Sequence, residues 1–174
     1  VRGCRIGMIF QEPMSSLSPV HTIGAQIVEV IRLHLKMGRD QARARAIELL
    51  RQVEIPDPER SIDRYAFEFS GGMRQRAMIA MALACSPELL IADEPTTALD
   101  VTTQIEVLAL LRDLIREFGT AGLYITHDLA VVAQIAHRIM VLRHGKMVEV
   151  GQAVQILEDP KTPYARALVN ERRE

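Results

Sequence analysis

Two acidic residues stand together at the end of an apolar run, Leu89-Leu90-Ile91-Ala92-Asp93-Glu94-Pro95. If the run is a strand, the pair lies at its carboxyl end, the edge of an open α/β sheet where ligands bind. Burying acids there is costly unless they have work to do. One carboxylate could hold a hard divalent cation that bridges nucleotide phosphates. The next residue, pointing the other way, could polarise an attacking water. Taken alone, the pair is equally an exposed strand end that caps a helix. A second group, Ser70-Gly71-Gly72-Met73, sets a hydroxyl and two glycines at a helix start. Amides without side chains can approach an anion closely, and the helix dipole favours it. The capping-box position three residues after Ser70 holds Met73 rather than Glu or Gln, which would leave the amides to an external ligand; the plain alternative is an ordinary N-cap. Third, Leu123-Tyr124-Ile125-Thr126-His127 ends another apolar stretch with an imidazole that could contact a phosphate oxygen, although a lone strand-end histidine is more often structural. Finally, Met8-Ile9-Phe10-Gln11 ends with an amide that can sense a metal or a water.

These side chains need strands and helices to hold them. Short apolar segments bounded by turn residues occur at Ile6 to Phe10, Leu89 to Ala92, Gly122 to Thr126 and Ile139 to Leu142, with longer stretches of helical period between them. That alternation predicts an α/β fold with a mostly parallel sheet covered by helices. Leu89-Leu90-Ile91-Ala92 is apolar throughout, as a central strand buried on both faces should be. Met140-Val141-Leu142 and Met147-Val148-Glu149-Val150 flank Arg143-His144-Gly145-Lys146, which predicts a β-hairpin with Gly145 supplying positive φ. From Thr22 to Val53 two helices are expected, one through Ile23, Ile27, Val30 and Ile31, the other through Ala42, Ala46, Leu49, Leu50 and Val53. Pro56 and Pro58 close this insert. A third helix runs from Ser70 to about Cys85, where Ser86-Pro87 stops it.

The chain has 174 residues, 48% of them hydrophobic, the composition of one compact soluble domain. Twenty-one basic against 22 acidic residues give a formal charge of −1, so no excess of positive charge is available for a nucleic-acid backbone, which argues against a general nucleic-acid binder. Cys4 and Cys85 lie far apart without CxxC spacing, which encodes neither a disulfide framework nor a zinc site. His21, His34, His137 and His144 show no metal-ligand spacing. Arg39, Arg43, Arg45 and Arg51 read as a solvated helix face. No apolar run reaches the roughly 20 residues that span a bilayer. The opening residues carry neither a methionine nor a signal-peptide pattern, and a piece cut from something longer is expected.

Taken in order, the chemical groups resemble the nucleotide-binding subunit of ATP-binding cassette (ABC) transporters. Gln11 corresponds to the glutamine of that family's Q-loop, and Phe69 to Met73 to the signature usually written Leu-Ser-Gly-Gly-Gln. Leu89 to Asp93 is similar to the Walker B strand and Glu94 to the catalytic glutamate. Ala98-Leu99-Asp100 resembles the D-loop and His127 the switch histidine. Within the family, Phe10-Gln11-Glu12-Pro13-Met14-Ser15-Ser16-Leu17-Ser18-Pro19, Gly71-Gly72-Met73-Arg74-Gln75-Arg76 and Asp93-Glu94-Pro95-Thr96-Thr97-Ala98-Leu99-Asp100-Val101-Thr102 resemble the ATPases of oligopeptide, dipeptide and nickel importers. The segment from Asp159 to Leu168 is similar to the extension these subunits carry beyond the catalytic core. Phe69 stands where leucine is usual, Ala66 where proline is common and Ser18 where asparagine is frequent.

The resemblance implies a P-loop NTPase-like core, at 1–19 and 87–150, with an inserted helical subdomain at about 20–86 and a C-terminal extension at 151–174. It implies ATP and Mg²⁺ as ligands, Glu94 as general base, His127 holding the γ-phosphate and water, and Asp93 with Gln11 at the metal. Ser70, Gly71, Gly72 and Met73 would face the nucleotide of a second subunit in a head-to-tail dimer, with Asp100 ordering the contact. Its implied partners are transmembrane permease subunits and, indirectly, an extracytoplasmic substrate-binding protein. The implied place is the cytoplasmic face of a bacterial or archaeal membrane. The phosphate-cradling Gly-x-x-x-x-Gly-Lys-Ser/Thr loop is absent from the 174 residues, so these residues alone are expected to hydrolyse little or no ATP. Two other readings stay open at this point, a non-transport ABC ATPase acting on nucleic acid or ribosomes, and a folded piece without catalysis.

Overall fold

A computed structural model describes residues 4–12 and 16–171. Pro13, Met14 and Ser15, within the segment compared with the importer Q-loop, lie outside the described residues. The chain divides into two compact units, Val1–Ile125 and Thr126–Glu174.

The first unit is built on a parallel three-stranded sheet, β1 (Ile6–Ile9), β2 (Leu89–Asp93) and β3 (Ala121–Ile125), with β2 in the middle as its apolar sequence predicts. The register aligns Gly7, Leu90 and Gly122 in one row and Ile9, Ala92 and Tyr124 in another on the same face. That face is covered. Leu90 and Ala92 are each 1% exposed, packed with α4 (Gly71–Leu83) and α5 (Val101–Glu117). Gly7 permits the close approach, since a methyl there would stand 2.5 Å from the carbonyl oxygen of Ala82. A methyl on Gly122 would stand 3.1 Å from Ile115 Cδ1 of α5.

The opposite face departs from the expectation of a sheet covered on both sides. Met8, Ile91 and Leu123 share a row there, and Met8 and Leu123 remain 42% and 49% exposed while Ile91 is half-buried. Both α4 and α5 pack on the other face, against the row of Gly7, Leu90 and Gly122.

The helical insert matches its sequence pattern. In α1 (Ile23–Leu35) the Thr22 hydroxyl accepts from the Ala25 amide at 3.2 Å, and Ile23, Ile27 and Ile31 are fully buried at four-residue spacing. Ala42, Ala46, Leu49 and Leu50 do the same for α2 (Arg39–Gln52). Three of the arginines read as a solvated face have partners in the fold. Arg43 makes a two-pronged pair with Asp63, Arg45 donates to Ala84 O and Ser86 Oγ behind α4, and Arg51 pairs with Glu48 and Glu59. A single turn, α3 (Pro58–Ser61), and a 3₁₀ turn at Ala66–Glu68 lead into α4.

The second unit holds α6 (Leu129–Ile135) and the expected hairpin, β4 (Arg138–Arg143) and β5 (Lys146–Gln152). Its turn residues His144 and Gly145 have φ of 49° and 73°, the pair of left-handed residues that a tight primed turn requires. Ile139 and Val141 bury one hairpin face against α7 (Ala153–Glu158) and α8 (Pro163–Glu171). The Glu149 carboxylate on β5 accepts from the amides of Lys161 and Thr162, both at 2.9 Å, and from Thr162 Oγ1 and Gln155 Nε2 at 2.8 and 3.1 Å. Those two amides, then the side-chain donors, pull its pKa down to about 2.

Candidate functional site

The carboxyl edge of the parallel sheet gathers three of the predicted residues. Asp93 closes β2, paired with Ile125, and by alternation lies on the face of Ile91. Gln11 follows β1 by two residues and is exposed, and Ile9 of that strand pairs with Ala92. Glu94 comes one residue past β2, where its amide donates to Ile125 O at 2.8 Å and continues the ladder by one bond. Its backbone then turns left-handed, with φ of 44°. A non-glycine residue held there costs about 1–3 kcal/mol and persists only where the surroundings determine it. Here they do so at both ends of the residue, since Thr97 Oγ1 donates to Glu94 Oε2 at 2.8 Å and the Thr97 amide to Glu94 O at 3.4 Å. The outcome is a half-buried carboxylate aimed by a turn rather than by a strand.

The signature-like residues form the start of α4. Ser70 is an N-cap with extended backbone, and its hydroxyl accepts from the Met73 amide at 3.2 Å. The sequence expectation that the helix amides are left to an external ligand is therefore limited to Gly71 and Gly72, because the amide of Met73 is already satisfied and its side chain packs on the core. Next to this turn lies the start of α5. A methyl on Gly71 would stand 3.6 Å from Leu99 Cδ2, and one on Gly72 only 2.6 Å from Thr103 Cγ2. Asp100 is the N-cap of α5, with Oδ1 accepting from the Thr103 amide at 3.1 Å and Oδ2 from its hydroxyl at 2.7 Å. The Thr103 amide, followed by the hydroxyl, lowers the Asp100 pKa. The two helix starts thus stand side by side, each with its own capping oxygen.

His127 is exposed and belongs to the second unit, two residues along the chain from the end of β3. Asp128 beside it caps α6, accepting from Ala130 N at 2.7 Å, and donates its own amide to Thr126 Oγ1 at 3.0 Å. Sequence reasoning assigned no role to Thr97 or Thr103. Both stand three residues after an acidic residue in the pattern acid-x-x-Thr, which is the available signal for a hydroxyl that orients a carboxylate.

A family model described as ABC transporter matches residues 2–97, more than half of the chain. The chain belongs to the ABC transporter family. This ABC chain is 58% identical over 170 residues to a probable peptide ABC transporter ATP-binding protein of Sinorhizobium fredii, covering 98% of the chain and 51% of that protein. It is 53% identical over 169 residues to the oligopeptide transport ATP-binding protein of Bacillus subtilis, covering 97% and 47%. It therefore spans about half the length of the relatives it matches. Among solved structures, a dimeric ATP-binding cassette in a post-hydrolysis state bound to ADP and phosphate superposes with a TM-score of 0.75 at 31% identity, over 87% of this chain and 64% of that one. The α/β architecture with its parallel sheet is thus that of ABC ATPase cassettes.

Proposed function

We propose that this ABC chain belongs to the ATP-binding and ATP-hydrolysing subunit of a peptide importer, working at the cytoplasmic face of a bacterial membrane. The observation that carries the reading is the Glu94 carboxylate, held by Thr97 in left-handed backbone directly after the sheet strand that ends in Asp93. A carboxylate so placed can accept a proton from a water attacking the γ-phosphate, the part of the reaction that needs a base. In the same reading the His127 imidazole is the group that contacts a γ-phosphate oxygen. In this reading the membrane partner is a transmembrane permease, and no described helix of this chain is long and apolar enough to cross a membrane.

The residues present fit a magnesium ion carried with the nucleotide. Among the described residues no group of three or more His, Cys, Asp or Glu could form a metal cage, whereas Asp93 and Gln11 offer two oxygen donors at one sheet edge. That is the modest protein share of a cation that keeps waters and phosphate oxygens. Bound there, it would neutralise charge on the phosphates. The main phosphate loop falls to a part of the protein outside these residues.

The amides of Gly71 and Gly72, at the positive end of α4, would meet the γ-phosphate held by a second copy or second ATPase domain, with Ser70 beside them and Met73 behind them as packing. In the same reading, 20–86 is the helical subdomain that faces the permease, 1–19 and 87–150 form the catalytic core, and 151–174 is an extension. The test is the whole protein reconstituted with its membrane partners in vesicles. ATP-dependent peptide uptake should be present in the wild type and absent in Glu94→Gln. Uptake and hydrolysis unchanged by Glu94→Gln would overturn the assignment.

A further inference from the structure

Resting on that reading, we infer that Thr103 is a positioning residue that couples the signature turn to the Asp100 carboxylate through a single side-chain torsion. Two hydrogen bonds and one close approach meet on this residue. Its Cγ2 stands where it would be 2.6 Å from a methyl on Gly72, its Oγ1 donates to Asp100 Oδ2 at 2.7 Å, and its amide donates to Asp100 Oδ1 at 3.1 Å. The backbone of Gly72 has no positive φ, so the lack of a side chain there answers to space and not to conformation. Threonine is branched at Cβ, which makes χ1 stiff and ties Cγ2 and Oγ1 to one rotation. Any shift of the Gly72 turn towards α5 pushes Cγ2. That push turns χ1, and the turn takes Oγ1 away from Asp100. Conversely, an Asp100 carboxylate drawn towards another partner frees the hydroxyl and lets Cγ2 move from Gly72. Ser70 and Asp100 cap separate helices. The link gives the two surface elements that would face a second subunit one common setting.

The test is a size exchange in the whole protein, comparing Gly72→Ala, Thr103→Ser and the two combined. Serine keeps the hydroxyl and removes Cγ2. Gly72→Ala should lower ATP hydrolysis by about tenfold, and Thr103→Ser by about threefold because serine is looser at χ1. The combined variant should recover to about the level of Thr103→Ser, a non-additivity expected of groups in contact. Thr103→Val, which keeps a methyl and loses the hydroxyl, should lower the maximal rate about fivefold while the ATP concentration at half-rate stays within about twofold. Thermal midpoints are read on the same four proteins. A combined variant no faster and no more heat-stable than Gly72→Ala would overturn the coupling. If the wild type hydrolyses no ATP, the functional reading falls by itself. The midpoints then decide the contact, restoration in the combined variant upholding it and its absence overturning it.

Discussion

The hydroxyl of Thr97 donates to Oε2 of Glu94 at 2.8 Å, three residues along the same turn, and the carboxylate is aimed by that bond. A base that must meet a water within hydrogen-bond reach gains from such fixing, because a small displacement loses much of the rate. Thr97→Val should therefore lower ATP hydrolysis by about tenfold with nucleotide affinity unchanged. Glu94→Gln should lower it by about 10²–10⁴-fold and accumulate the closed, ATP-bound dimer, seen as a larger species by size-exclusion chromatography. A Thr97→Val protein that hydrolyses at the wild-type rate would show that Glu94 needs no such support.

Ser70 separates two effects. Ser70→Ala removes the hydroxyl that accepts from Met73 and should cost about 1 kcal/mol in urea unfolding, the ordinary worth of an N-cap, with modest loss of hydrolysis. Ser70→Arg places a large side chain over the amides of Gly71 and Gly72 and should block closure of the dimer. Normal turnover in that variant would refute the anion-binding role of the turn.

The close approach at Gly7 sets a packing limit. A methyl there would lie 2.5 Å from the carbonyl oxygen of Ala82, a backbone atom that cannot swing aside. Gly7→Ala should destabilise the first unit by about 2 kcal/mol, read as a lower urea midpoint at unchanged slope.

Glu149 predicts a pH dependence confined to acid. Its carboxyl titrates near 2 in the fold against an ordinary 4.5, because the amides of Lys161 and Thr162 favour the charged form. A depressed pKa stabilises above the unfolded value, so the contribution is whole at neutral pH and lost as pH falls through 4.5 towards 2. Thermal midpoints of Glu149→Gln should be lower than wild type at neutral pH and converge with it at the acid end of that window. Parallel curves would show that the carboxylate is not what holds residues 161 and 162.

Much of this architecture was legible because it rests on local chemistry. The uniformly apolar Leu89 to Ala92 does form the central strand, and the spacing of Ile23, Ile27 and Ile31 does give one buried helix face. The Gly145 turn follows from φ preferences alone. The open row of Met8, Ile91 and Leu123 was not legible, since an apolar strand residue looks the same whether or not a helix covers it. The resemblance of Asp100 to a D-loop residue points to an outward role, whereas its capping of α5 through the Thr103 amide and hydroxyl has only the acid-x-x-Thr spacing as its signal. Thr97 was visible only as part of the stretch after Glu94. Its aim at the carboxylate comes from the left-handed turn, which nothing in the type of residue 94 announces.

That left-handed turn also sets selection for folding against selection for turnover. Glycine at position 94 would relieve the strained backbone at no steric cost, and asparagine would relieve part of it, yet neither side chain can serve as a base. A laboratory screen of this protein for heat resistance, run without a turnover assay, should enrich replacements at position 94 that survive best and hydrolyse nothing.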